Sequence, residues 1–118
     1  MKSRNLLESF FYAFSGVFYG FFSERNLKVH LLAGLLAVSL AYYYEINRIE
    51  WALLLFTIFL VFIAETINTA IEKTIDLVTD EYHPLAKNAK NLAAGAVLLS
   101  AINAIIMGII IFGPYLFN

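Results

Sequence analysis

The stretch ETINTAIEKTID, Glu65 to Asp76, follows without a break on WALLLFTIFLVFIA, Trp51 to Ala64. The apolar run contains no polar residue except Thr57, yet at 1.5 Å per residue it rises only about 21 Å, short of the roughly 30 Å of bilayer hydrocarbon. A span that starts at Trp51 must therefore continue into the polar stretch. Glu65 is expected inside the hydrocarbon near its second boundary, and Glu72 close to that boundary. At about 100° per residue, Glu65, Asn68, Glu72 and Asp76 share a sector of roughly 80°, with Thr79 inside it and Thr69 beside it. This single polar stripe decides how the chain is read.

The rest of the sequence supports a membrane fold. Hydrophobic residues make up 61% of the 118 residues and charged ones 14%, against about 45–50% and 25% in soluble domains. The net charge of -1 gives no reason to expect a nucleic-acid partner, and with no cysteine there is no disulfide to stabilise the fold. Val29 to Ile46 carries only His30 and Glu45 as ionisable groups, and no charged side chain lies between Asn91 and the C-terminus. Both are long enough to cross. The N-terminal stretch MKSRNLLESFFYAFSGVFYGFF places Leu6, Leu7, Phe10, Phe11, Phe14, Phe18, Phe21 and Phe22 mostly three and four residues apart, as in a helix lying in the interface. Glu8 interrupts it and no clean cleavage site follows, so it is expected to belong to the mature protein. The expected fold is all-α and integral to the membrane: a surface helix and link over 1–27, then helices over 29–46, 51–80 and 91–116 that include three spans, in one domain, 1–118. Pro84 is expected to break the chain between the last two.

Lys2, Arg4, Arg25, Lys28, Lys73, Lys87 and Lys90 fall on one side of this topology and only Arg48 on the other, which makes the first side cytoplasmic. Several carboxylates descending into lipid are costly unless they meet protein, water, a cation or basic groups, so a stacked set is a functional candidate. The competing reading, hydrogen bonding between helices, suits Asn68 and the threonines. Glu24, Asn26, Lys28 and His30 lead into the first span, and Lys87, Lys90 and Asn91 into the third; all are expected to meet Glu72 at the cytoplasmic boundary. Carboxylates beside lysines at a membrane surface suit a phosphate bridged by Mg²⁺, although topology anchoring explains the lysines equally well. His30 alone reads as a packed residue. No GxxxxGK[ST] loop and no HRD or DFG signature is present, and the GxxxG of Gly16 and Gly20 most often means close helix packing.

SERNLKVHL, ETINTAIEKTIDLV and HPLAKNAKNLAAGAVLL together resemble the prokaryotic diacylglycerol kinase family of small integral-membrane lipid kinases, in particular its Gram-positive undecaprenol kinase branch. The resemblance covers nearly the whole chain. It implies a homotrimer in the bacterial inner membrane, with an interfacial site on the cytoplasmic side that moves the γ-phosphate of MgATP to a lipid hydroxyl. Carried over by motif position, Glu65 corresponds to the general base and Asn68 to its neighbour, both against the lipid substrate. Glu24 and Glu72 correspond to the metal-binding carboxylates and also contact nucleotide. Lys90 corresponds to the catalytic phosphate contact, and Asp76 and Asn91 belong to the nucleotide region. The family has aspartate after this lysine, so Asn91 removes a negative charge, which leaves open a lowered activity or a weakened paralogue. Undecaprenol is the expected acceptor and diacylglycerol the alternative. A small proton-coupled transporter also uses an intramembrane glutamate, but needs no lysines facing phosphate. A noncatalytic assembly protein does not explain why acids and bases gather on one side.

Overall fold

The computed structural model describes residues 4–117. Lys2, one of the basic residues assigned to the cytoplasmic side, lies outside them, as do the other terminal residues of the expected 1–27 and 1–118 segments, Met1, Ser3 and Asn118. Four helices follow one another: α1 (Leu6–Ser23), α2 (Arg25–Tyr44), α3 (Arg48–Val78) and α4 (Pro84–Leu116). The last three are long and apolar enough to cross a membrane. At 1.5 Å per residue, α2 is about 30 Å long while α3 and α4 are about 46 and 50 Å, so both overrun a hydrocarbon layer of roughly 30 Å.

Local chemistry sets the boundaries. Asn5 caps α1 by accepting a hydrogen bond from the Glu8 amide at 2.9 Å. Glu24, in extended conformation, is the whole connection between α1 and α2. Its amide donates to the Gly20 carbonyl at 2.8 Å. Gly20 lets the two helices approach closely, since a Cβ at this position would lie 2.8 Å from Leu27 Cδ1 and the leucine side chain would have to shift; Gly16, the other half of the GxxxG, has open space around it. α2 ends in a Schellman turn, with the Ile46 amide on the Ala41 carbonyl and the Glu45 amide on the Tyr42 carbonyl. Glu45 takes the left-handed position of that turn, at φ 51°, where glycine is usual. Asn47 and Glu50 form a capping box that starts α3, with bonds of 2.8 and 3.0 Å. His83 caps α4, accepting from the Leu85 amide at Nδ1, and Pro84 stands at the first helical position.

These boundaries differ in detail from those expected. α2 begins at Arg25 because one extended residue suffices to separate it from α1, and it stops before Ile46. α4 begins at Pro84, so the proline opens the last helix as well as breaking the chain. Thr79 does not belong to the polar stripe: α3 ends at Val78, and Thr79 is extended, its hydroxyl accepting from the Glu81 amide at 3.2 Å. A threonine that can bond the backbone two residues on competes with continued helix.

α3 packs chiefly against α4 and α2. Its buried face runs Leu54, Thr57, Val61, Glu65, Asn68, a continuous row at three- and four-residue spacing. The apolar core, Ala41, Ile46, Leu54, Ile111 and Phe112, lies at the Arg48 end of the bundle. Tyr42 and Trp51 meet edge to face beside it at 5.0 Å, and the Tyr115 hydroxyl donates to Glu50 Oε1 at 2.6 Å. The same row thus begins as core and ends as carboxylate and amide.

Candidate active site

Glu65 is 2% exposed. Counted along an unbroken α3, it stands about 25 Å from Arg48 and Glu72 about 36 Å, which brackets the far boundary of a hydrocarbon layer of roughly 30 Å. Two side chains one turn apart on α2 reach Glu65. Asn26 Nδ2 donates to Oε1 at 3.2 Å, and His30 Nε2 stands 3.5 Å from Oε2, within charge contact but without a hydrogen bond. These groups therefore meet Glu65 and not Glu72, as the order of polar residues had suggested. The contacts of α2 fall about two turns deeper on α3 than Glu72, since Glu65 precedes it by seven residues.

One turn toward the opposite end, Asn68 is 7% exposed. Its amide nitrogen donates to Glu72 Oε1 at 2.8 Å, while its Oδ1 is buried without a partner. A buried acceptor left unpaired costs about 1–3 kcal/mol, so two on adjacent residues of one stripe, Glu65 Oε2 and Asn68 Oδ1, mark a place built for something other than stability. Glu72 and Asp76 are exposed, so the stripe passes from buried to accessible.

Beyond Glu72 the charges pair across helices. Lys73 Nζ lies 3.2 Å from Glu24 Oε1 and 5.4 Å above the Tyr19 ring, tying the α1–α2 link to α3. Lys90 of α4 meets Asp76 of α3 at 2.6 Å. Asp76, Thr79, Tyr82, His83, Lys90 and Asn91 are among the residues lining a polar pocket of about 300 Å³ under the α3–α4 loop. Lys73 was read from the sequence as one more topology charge; its position off the polar stripe gave no signal that it would reach Glu24.

The structure therefore joins Glu65 to Asn68 and Glu72 by one helix face, Asp76 to Lys90 and Asn91 by the loop pocket, and Glu24 to Lys73 by an ion pair. Among the described residues no three His, Asp or Glu side chains form a group able to hold a metal by themselves. Glu24 is held by Lys73 and Glu72 by Asn68; Mg²⁺ takes only one or two protein carboxylates and completes its shell with phosphate oxygens and water, so such a group is not a requirement for it. A buried carboxylate, an accessible acidic edge and a lysine beside a pocket are groups of the kind that phosphoryl transfer to an alcohol uses.

A family model described as prokaryotic diacylglycerol kinase matches residues 11–112. The chain is 48% identical to a diacylglycerol kinase of Synechocystis sp. over 105 residues, covering 88% of this chain and 60% of that protein. It is 41% identical to the undecaprenol kinase of Bacillus subtilis over 117 residues, covering 96% of this chain and 95% of that protein. A diacylglycerol kinase of Helicobacter pylori is 34% identical over 113 residues, 96% of this chain and 85% of its own.

Proposed function

The chain belongs to the prokaryotic diacylglycerol kinase family, a family of membrane lipid kinases, and from that premise we propose that it moves the γ-phosphate of MgATP to the hydroxyl of undecaprenol on the cytoplasmic side of a bacterial inner membrane. Membership sets the transporter reading aside. The observation that carries the proposal is the buried Glu65 carboxylate, held at one oxygen by Asn26 and without a hydrogen bond at the other, on a stripe that leads to the Asp76–Lys90 pair.

An alcohol whose chain never leaves the membrane reaches Glu65 laterally, at the depth where its hydroxyl is most stable. Glu65 takes the hydroxyl proton as the oxygen attacks the γ-phosphorus, the bond to the β-phosphate oxygen breaks, and ADP departs to the cytosol. Asn68, in hydrogen-bond contact with Glu72, holds the acceptor side and the nucleotide side of the stripe in fixed relation. Lys90 neutralises phosphate oxygens after exchanging its Asp76 partner for them. Asp76 and Asn91 line the pocket assigned to the rest of the nucleotide. Glu24 and Glu72 are the residues that would hold Mg²⁺, which when bound neutralises charge on the β- and γ-phosphates. The homotrimer implied by the family resemblance fits a site whose acidic edge its own chain leaves exposed.

Undecaprenol is preferred because the undecaprenol kinase relative aligns over nearly the full length of both chains. A second reading, diacylglycerol, is favoured by the higher identity to the Synechocystis protein. The test is label transfer from [γ-³²P]ATP to each lipid in vesicles containing the purified protein. The proposal expects kcat/KM for undecaprenol to exceed that for diacylglycerol by tenfold or more, on the order of 1.4 kcal/mol in transition-state binding. The reverse order would transfer the assignment to diacylglycerol, and labelling of neither lipid by folded protein would overturn it. Restoring the family charge by Asn91→Asp should raise the rate if its absence weakens nucleotide positioning.

A further inference from the structure

His30 is left without a role by the reading above. It is the second histidine-bearing position worth weighing, since His83 is accounted for as the cap of α4. His30 faces Glu65 Oε2 at 3.5 Å, and it also lines an apolar groove of about 250 Å³ between α2, α3 and α4, together with Gly34, Thr57, Val61 and Gly108. The imidazole thus stands where a membrane groove meets the buried carboxylate. We propose that His30 is a positioning residue for the phosphoryl-transfer base: with Asn26, its neighbour one turn earlier on α2, it fixes the orientation of the Glu65 carboxylate. This rests on Glu65 being the base.

The geometry restricts what His30 can do. With Asn26 donating to Oε1, the free lone pairs of the carboxylate are concentrated at Oε2, the oxygen that His30 faces. A neutral imidazole with its proton on Nε2 offers Oε2 an N–H donor and leaves the carboxylate ionised and able to accept the alcohol's proton. A small closure of the 3.5 Å gap completes that hydrogen bond. α3 presents Glu65, α4 presents Ala104, Ile105 and Met107 across the groove, and on α2 itself Asn26 is uncharged; among the described residues no other charged group is in hydrogen-bond or ion-pair contact with the imidazole.

The experiment measures kcat and KM for label transfer in vesicles by the wild type, His30→Gln and His30→Phe, with Glu65→Gln as reference. His30→Gln keeps an N–H donor, so it should hold kcat within a few-fold of the wild type. His30→Phe should lose up to about a hundredfold in kcat, the cost of a misplaced catalytic group, with KM for ATP little changed. In parallel, NMR of ¹³C-labelled histidine, assigned with His83→Gln, follows the His30 ring resonances at fixed pH, which should shift in Glu65→Gln whether or not that variant turns over. A His30→Gln rate as low as that of His30→Phe, a wild-type rate in His30→Phe, or His30 resonances indifferent to Glu65 would overturn the proposal. If Glu65→Gln itself turns over normally, the failure lies with the base assignment, and the NMR coupling then reports the pair alone.

Discussion

Replacing Asn68 by leucine separates stability from function at the centre of the stripe. Asn68 is buried, and among the described residues its Oδ1 has no hydrogen-bond partner while its amide nitrogen donates to Glu72, an exposed residue. Leucine is of similar size and makes no polar demand. Removing an orphaned buried acceptor recovers about 1–3 kcal/mol, and losing one hydrogen bond to a solvated partner gives back about 0.5–1.5 kcal/mol. The difference favours the variant by about 1 kcal/mol, roughly a factor of five in the folding equilibrium. Activity should move the other way, with kcat for lipid phosphorylation down at least tenfold, because the amide linking Glu65's level to Glu72 is gone. Reversible unfolding in mixed micelles supplies the first quantity and initial rates of label transfer the second. A less stable Asn68→Leu protein with normal turnover would refute the reasoning, since Asn68 would then be interhelical glue and the stripe a packing device.

Two predictions concern the end of the bundle away from the site. Tyr115→Phe removes the 2.6 Å hydrogen bond to Glu50 and should cost about 0.5–1.5 kcal/mol of stability with kcat unchanged; a loss of turnover at equal folded fraction would couple that end to the site. Glu45→Gly relieves a non-glycine residue at φ 51° and should stabilise by about 0.5–1 kcal/mol in the same unfolding assay, and a destabilised variant would show that the Glu45 side chain holds the turn.

The polar stripe was legible because helical periodicity alone puts Glu65, Asn68, Glu72 and Asp76 on one face, and hydropathy alone requires the second span to run into them. Asn47 with Glu50, and Pro84 after His83, carry helix-start chemistry that hydropathy passes over, which is why the helices were expected only from 51 and 91. Pairings between helices were not legible to the same degree. That Asn26 and His30 reach Glu65, and that Lys73 holds Glu24, depends on how far α2 is rotated and slid along α3, and no period within one helix contains that offset. Thr79 shows a different limit: its angle suited the stripe, but its hydroxyl bonded the loop and the helix stopped one residue earlier. The GxxxG spacing suggested close helix packing in general; Gly20 does lie close to Leu27, while Gly16 faces open space.

Everything above depends on a buried carboxylate taking a proton from an alcohol inside the bilayer. Phosphoryl transfer by Glu65→Gln, compared with the wild type at saturating ATP and matched folded fraction, measures this most directly. The glutamine keeps an oxygen for Asn26, so ATP affinity by calorimetry should be unchanged while kcat falls about 10²–10⁴-fold. Turnover within a few-fold of the wild type would contradict the account.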